Sequence, residues 1–122
     1  MRILVVEDEK KIADFIKRGL KEEGYAVDAA YDGAEGQFLA KTNNYDLILL
    51  DLMLPKIEGF KVCRMLKFDK DYSHIPIIIL TARSQPVEEE VGYSTGANLY
   101  LTKPFDGNEL VTKVKELLKE IE

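Results

Sequence analysis

Short runs of apolar, largely β-branched residues alternate five times with helical patterns along this chain, and that alternation restricts the folds open to it. Ile3-Leu4-Val5-Val6, Leu47-Ile48-Leu49-Leu50 and Pro76-Ile77-Ile78-Ile79-Leu80 are continuous apolar runs. They read as strands buried on both faces, as in a parallel sheet. Residues 25–30 form a second, less apolar strand, expected near an edge, and Leu99-Tyr100-Leu101 a short fifth. Between them lie helices. Ile12, Ile16 and Leu20 recur at a spacing of four, and Gly24 closes that helix. Asp32 with Glu35, and Asp106 with Glu109, have the three-residue spacing of helix N-terminal capping. The first of these helices is expected to end near Thr42. Pro55 and Gly59 bracket a loop before a third helix that runs to about residue 68. Pro86 suits the first turn of a fourth helix and Gly96 its end. Leu110, Val114, Leu117 and Ile121 give the last helix a core-facing stripe.

Strand-helix alternation of this kind implies an α/β fold, a doubly wound parallel sheet with helices on both faces. In such a sheet the carboxyl ends of all strands lie on one side, and ligands bind there where the strand order reverses. Glu7 and Asp8 follow the first strand, Asp51 the third, Thr81 the fourth and Lys103 the fifth. Four separate segments therefore bring polar groups to one crevice.

The residue types define a chemistry. Two or three carboxylates held close repel unless a cation intervenes, and a hard, oxygen-ligated ion such as Mg2+ suits them. One carboxylate can attack phosphorus and form an aspartyl phosphate. Lys103 and the metal would offset charge on the transferring group, and Thr81 could donate a hydrogen bond to it. Asp51 stands alone after a buried strand and is the nucleophile candidate. Asp8, beside Glu7, is better placed to hold metal.

Charge and length exclude other classes. A chain of 122 residues fits one domain, expected to span residues 1–122, and 46% apolar residues suffice for a core. Acidic residues outnumber basic ones, 22 to 17, and no basic stripe stands out, so direct nucleic-acid binding is not expected. Cys63 is the single cysteine, read as a buried thiol, so no internal disulfide forms. No segment is apolar for the length of a membrane span, and Ile3–Val6 meets Glu7-Asp8-Glu9 too soon for a signal peptide. The expected compartment is the cytoplasm. His74 lies in a polar stretch without a partner at ligand spacing and reads as a solvated loop residue. Glu88-Glu89-Glu90 reads as a solvated helix face.

The whole chain from residue 2 to about 120 resembles the receiver domain of bacterial two-component response regulators. The resemblance rests on Ile3 to Glu9, Asp46 to Pro55, Gly59, Ile77 to Ala82, Gly96-Ala97 and Tyr100-Leu101-Thr102-Lys103-Pro104-Phe105, in that order. It implies a flavodoxin-like, five-stranded sheet in the order 2-1-3-4-5 with five helices. It implies phosphorylation of Asp51, with Mg2+ bound by Asp8, Asp51 and the Met53 carbonyl beside Glu7. Thr81 and Lys103 would contact the phosphoryl group, and Tyr100 would be the switch aromatic that follows Thr81. Met53 and Arg83 would tune hydrolysis, and the Lys103–Pro104 bond would be cis. The phosphoryl donor would be a sensor histidine kinase or a phosphotransfer protein in a phosphorelay, and the domain would catalyse its own phosphorylation and slow dephosphorylation. The surface of the fourth helix, fifth strand and last helix would change and act on a downstream protein or an output domain. The resemblance implies a monomer or a weak, phosphorylation-dependent dimer. Regulators with a winged-helix output often carry two acids before the switch aromatic; here those positions hold Asn98 and Leu99.

Three other functions compete. A phosphorylation-independent protein-binding module would not need all five site residues. A Mg2+-dependent phosphohydrolase needs a second acid two residues after the nucleophile, where Met53 stands and cannot act as general acid. A flavin phosphate would be repelled by Glu7-Asp8-Glu9 in the loop after the first strand.

Overall fold

The computed structural model describes residues 1–82 and 96–121. Along the chain run β1 (Arg2–Val6), α1 (Lys10–Glu22), β2 (Ala26–Ala30), α2 (Gly33–Thr42), β3 (Leu47–Asp51), α3 (Gly59–Lys67), β4 (Ile77–Ala82), β5 (Leu99–Lys103) and α4 (Gly107–Ile121). The helix expected to start at Pro86, its Glu88-Glu89-Glu90 run and Arg83 lie outside the described residues. Four of the five expected helices are therefore seen among them.

The strands form one parallel sheet in the order β2-β1-β3-β4-β5, with β2 at an edge. Alternate residues of each strand face opposite sides, which explains the unbroken apolar runs. Leu4, Val6, Ile48, Leu50, Ile77 and Ile79 pack with Val62, Cys63 and Leu66 of α3. Ile3, Val5, Leu47, Leu49, Ile78 and Leu80 pack with Ile16 and Leu20 of α1 and with Leu110, Val114, Leu117 and Leu118 of α4. Each fully buried Leu or Ile contributes about 1.5–3 kcal/mol by leaving water. Two apolar layers, one on each face, therefore hold the central strands rigid beneath whatever sits at their ends.

The local signals act as expected. Asp32 Oδ1 accepts from Glu35 N at 2.7 Å, and Asp106 Oδ1 accepts from Glu109 N at 2.7 Å. Gly24, just past α1, has φ +91°, which glycine adopts without penalty. Three strand ends lie beyond the apolar pattern. β3 takes in Asp51, which pairs with Leu80. β4 continues through Thr81 to Ala82, and β5 through Thr102 to Lys103, because Thr81 pairs with Thr102 and Ala82 with Lys103. The ladder outlasts the apolar pattern there, so Thr81 and Lys103 are strand residues.

Candidate functional site

The strand order reverses at β1, whose neighbours are β2 and β3. The crevice expected at that switch point is lined by Glu7 and Asp8 just beyond β1 and by Asp51 as the last residue of β3. Carboxylate oxygens of these three acids all lie within 4.8 Å of one another. Glu7 and Asp51 are buried and Asp8 is exposed, so the cluster opens to solvent on the Asp8 side.

Lys103 closes the other side. Its Nζ donates to Asp51 Oδ2 at 3.0 Å and stands 2.6 Å from Glu7 Oε1. The second contact is a close ion pair to a fully buried carboxylate. Glu7 Oε2 accepts from Glu9 N at 3.1 Å, and Asp51 Oδ1 accepts from Met53 N at 3.2 Å. The Lys103–Pro104 peptide bond is cis.

The electrostatics follow from burial. Loss of water pushes the Glu7 carboxyl up to about 7, against the pull of Lys103 and the Glu9 amide, with Asp51 adding repulsion. Burial draws the Lys103 ammonium down, but Glu7 and Asp51 outweigh it and leave the lysine above its ordinary value. Three carboxylates thus face one ammonium. An all-oxygen, acid-rich donor set with an open side fits a hard divalent cation such as Mg2+.

Thr81 follows Leu80, the ladder partner of Asp51, at the same end of the sheet. Its Oγ1 is buried and has no hydrogen-bond partner among the described residues. A buried hydroxyl left unpaired costs free energy, so this oxygen is ready for an acceptor that arrives from outside. Met53 is 55% exposed beside Asp51. Tyr100, in β5, is half-buried against the apolar layer of the α3 side. Of the sequence-derived site residues, Glu7, Asp8, Asp51 and Lys103 converge directly, and Met53 adjoins Asp51. Tyr100 stands in β5 two residues before Thr102, the ladder partner of Thr81; Arg83 lies outside the described residues.

Two glycines that the sequence reading used only as punctuation, or passed over, shape the site. A Cβ on Gly59, the first residue of α3, would lie 1.7 Å from Asp51 O. A Cβ on Gly33, the first of α2, would lie 1.8 Å from Ile57 O in the loop after β3. Gly33 N also donates to Pro55 O at 3.1 Å. Both helices therefore begin against the backbone that carries Asp51, an approach that only a residue without a side chain permits. The Asp32-Gly33 and Gly59 positions next to helix starts were the available signal.

Residues 3–115 match the family described as the response regulator receiver domain, and this chain belongs to that family. It is 45% identical over 118 residues to the DNA-binding dual master transcriptional regulator RpaA of Synechocystis, covering 97% of this chain and 49% of that one. It is also 45% identical over 118 residues to the response regulator ArlR of Staphylococcus saprophyticus, covering 97% and 52%. The chain thus spans about half the length of these curated relatives. Among solved structures, the receiver domain of the Francisella response regulator 1452 superposes with a TM-score of 0.90 at 40% identity, covering 99% and 98% of the two chains. The chemotaxis response regulator CheY4 of Vibrio cholerae gives 0.89 at 28% identity, covering 95% and 97%. The chain is a receiver domain of the two-component signalling type.

Proposed function

We propose that this receiver, taken as one domain over residues 1–122, accepts a phosphoryl group on Asp51 in a Mg2+-dependent reaction. The observation that carries the reading is the placement of the Asp51 carboxylate between the Lys103 ammonium at 3.0 Å and an acidic cluster with Glu7 and Asp8. A carboxylate of Asp51 attacks the phosphorus of a phosphohistidine on a sensor kinase or phosphotransfer protein. The new O–P bond forms as the N–P bond breaks, and the imidazole leaves with a proton. Lys103 Nζ, already on Asp51 Oδ2, steadies the carboxylate and then the charge of the phosphoryl oxygens. Asp8, Asp51 and the Met53 carbonyl, with Glu7 behind them, would hold Mg2+, which supplies charge neutralisation at phosphorus when bound. The protein thereby promotes its own phosphorylation, and its slow hydrolysis is tuned by Met53 and Arg83.

The buried Thr81 Oγ1, without a hydrogen-bond partner among the described residues, supports a role as the group that meets a phosphoryl oxygen. Tyr100, on the adjacent strand, would follow Thr81 inward and alter the surface presented by β5 and α4 to a downstream partner or output domain. The monomer, or a weak dimer formed on phosphorylation, is the assembly proposed. RpaA is described as DNA-binding; that property belongs to a protein about twice as long. No helix among the described residues is long and apolar enough to cross a membrane, and the cytoplasm is the compartment proposed.

The test is intact mass after incubation with acetyl phosphate. One phosphoryl group is expected with Mg2+, and none without Mg2+ or in Asp51→Asn. A rapid-quench sample with no adduct in the wild-type protein would instead support the phosphorylation-independent binding module.

A further inference from the structure

One surface of the molecule has no part in the site. The core-facing side of α3 is Val62, Cys63 and Leu66, all buried. The opposite side is a single stripe, Lys61, Arg64, Met65 and Phe68, at the three- and four-residue spacing that aligns side chains on one helix face. Phe68 is 71% exposed and Met65 40%. These four residues line a shallow depression of ≈ 510 Å³. Arg64 lies over the Phe68 ring, 5.8 Å from its centroid.

The stripe is locally basic. The chain as a whole carries a formal charge of -5, yet the stripe contains two cations and no acid. Among the described residues neither Lys61 nor Arg64 makes an ion pair, so both charges are open to a partner, as are those of most other exposed cations of the chain. Lys70 is exposed just beyond the helix. Of the nearest acids, Glu58 precedes the helix, and Asp69 is half-buried and accepts from Asp71 N at 2.9 Å. An exposed aromatic and a thioether flanked by unpaired cations are what an apolar anchor with acidic neighbours would recognise.

We propose that the outer face of α3 is a docking surface for an acidic, amphipathic segment of a partner protein. An aromatic or aliphatic side chain of the partner enters the depression over Met65 and Phe68, and its carboxylates pair with Lys61 and Arg64. The net negative charge of the chain and the two apolar residues at the centre of the stripe favour such a segment over a nucleic acid, which needs a wider basic surface. The surface needs no phosphoryl chemistry, so it stands whether or not Asp51 is phosphorylated.

The experiment is a display of random short peptides selected on the wild-type protein and counter-selected on an Arg64→Glu, Phe68→Ser double variant. Both side chains are exposed, so the urea midpoint of the variant should match the wild type; Arg64→Gln alone serves as the milder second variant. The expected peptides carry net negative charge around one or two apolar anchors and shift the amide resonances of residues 61–68. They should lose about tenfold or more in affinity on the double variant. Selected peptides that are neutral or basic, or that bind both proteins equally, would overturn the proposal. Binding of a DNA duplex through Lys61 and Arg64 in preference to an acidic peptide would also overturn it.

Discussion

Substituting Gly59 by alanine tests how tightly α3 is seated against the phosphoacceptor strand. The new Cβ would lie 1.7 Å from Asp51 O, 2.8 Å from Asp51 C and 2.9 Å from Leu52 Cα. Carbon and carbonyl oxygen normally approach to about 3.3 Å, so the two backbones must part by roughly 1.5 Å. β3 is clamped by β1 and β4, so the start of α3 has to move. That breaks the Gly59 N to Leu52 O bond of 2.9 Å and loosens Val62, Cys63 and Leu66 in the core. Overpacking costs about 1–3 kcal/mol, and the lost hydrogen bond about 1 kcal/mol. Alanine's better helix propensity offsets less than about 1 kcal/mol. The net expectation is about 2–3 kcal/mol, read as a urea midpoint about 1–2 M lower. Gly19, inside α1, is the internal control because its Cβ would meet nothing within 4 Å. Gly19→Ala should stabilise by about 0.5–1 kcal/mol. A Gly59→Ala protein within about 0.5 kcal/mol of wild type, or a Gly19→Ala protein equally destabilised, would refute the reasoning.

Other expectations concern individual side chains. Thr81→Val removes a buried hydroxyl that has no partner among the described residues, so the unphosphorylated protein should gain up to about 1 kcal/mol in denaturant unfolding, while phosphoryl uptake measured by mass slows. Asp28 is held below its ordinary value of 3.8, first by the hydrogen bond from Tyr45 and then, against the cost of burial, by Arg2. A depressed carboxylate stabilises the fold above its unfolded pKa and loses that contribution as pH falls through the folded pKa. Tyr45→Phe should therefore cost about 0.5–1 kcal/mol at neutral pH, the lower part of the usual range because Asp28 is one-third open to solvent. The difference should shrink as unfolding is measured below pH 3.8.

The sheet was legible because its central strands are buried on both faces, which writes Ile3–Val6, Leu47–Leu50 and Ile77–Leu80 as unbroken apolar runs. The caps at Asp32 and Asp106 were legible because they act over three residues. Strand ends were not, since Thr81 and Lys103 are polar while their backbones stay in the ladder. The acids and the lysine of the site were visible as types at strand ends. The contact of Lys103 with Glu7, far apart in sequence, and the rise of Glu7 to about 7 that burial produces against that contact, both depend on three-dimensional closure. The same holds for Gly33 and Gly59, whose need for a bare Cα arises from backbone that only the fold brings near.

The central claim is that Asp51 is the residue that receives the phosphoryl group. An acyl phosphate is reduced by borohydride, which converts the modified aspartate to homoserine and marks its position permanently. Treating the protein with acetyl phosphate and Mg2+, then borohydride, and sequencing its peptides by mass spectrometry reads the site directly. Homoserine at position 51 alone is the result the account predicts; homoserine at Asp8 or any other acid, with Asp51 unchanged, would contradict it.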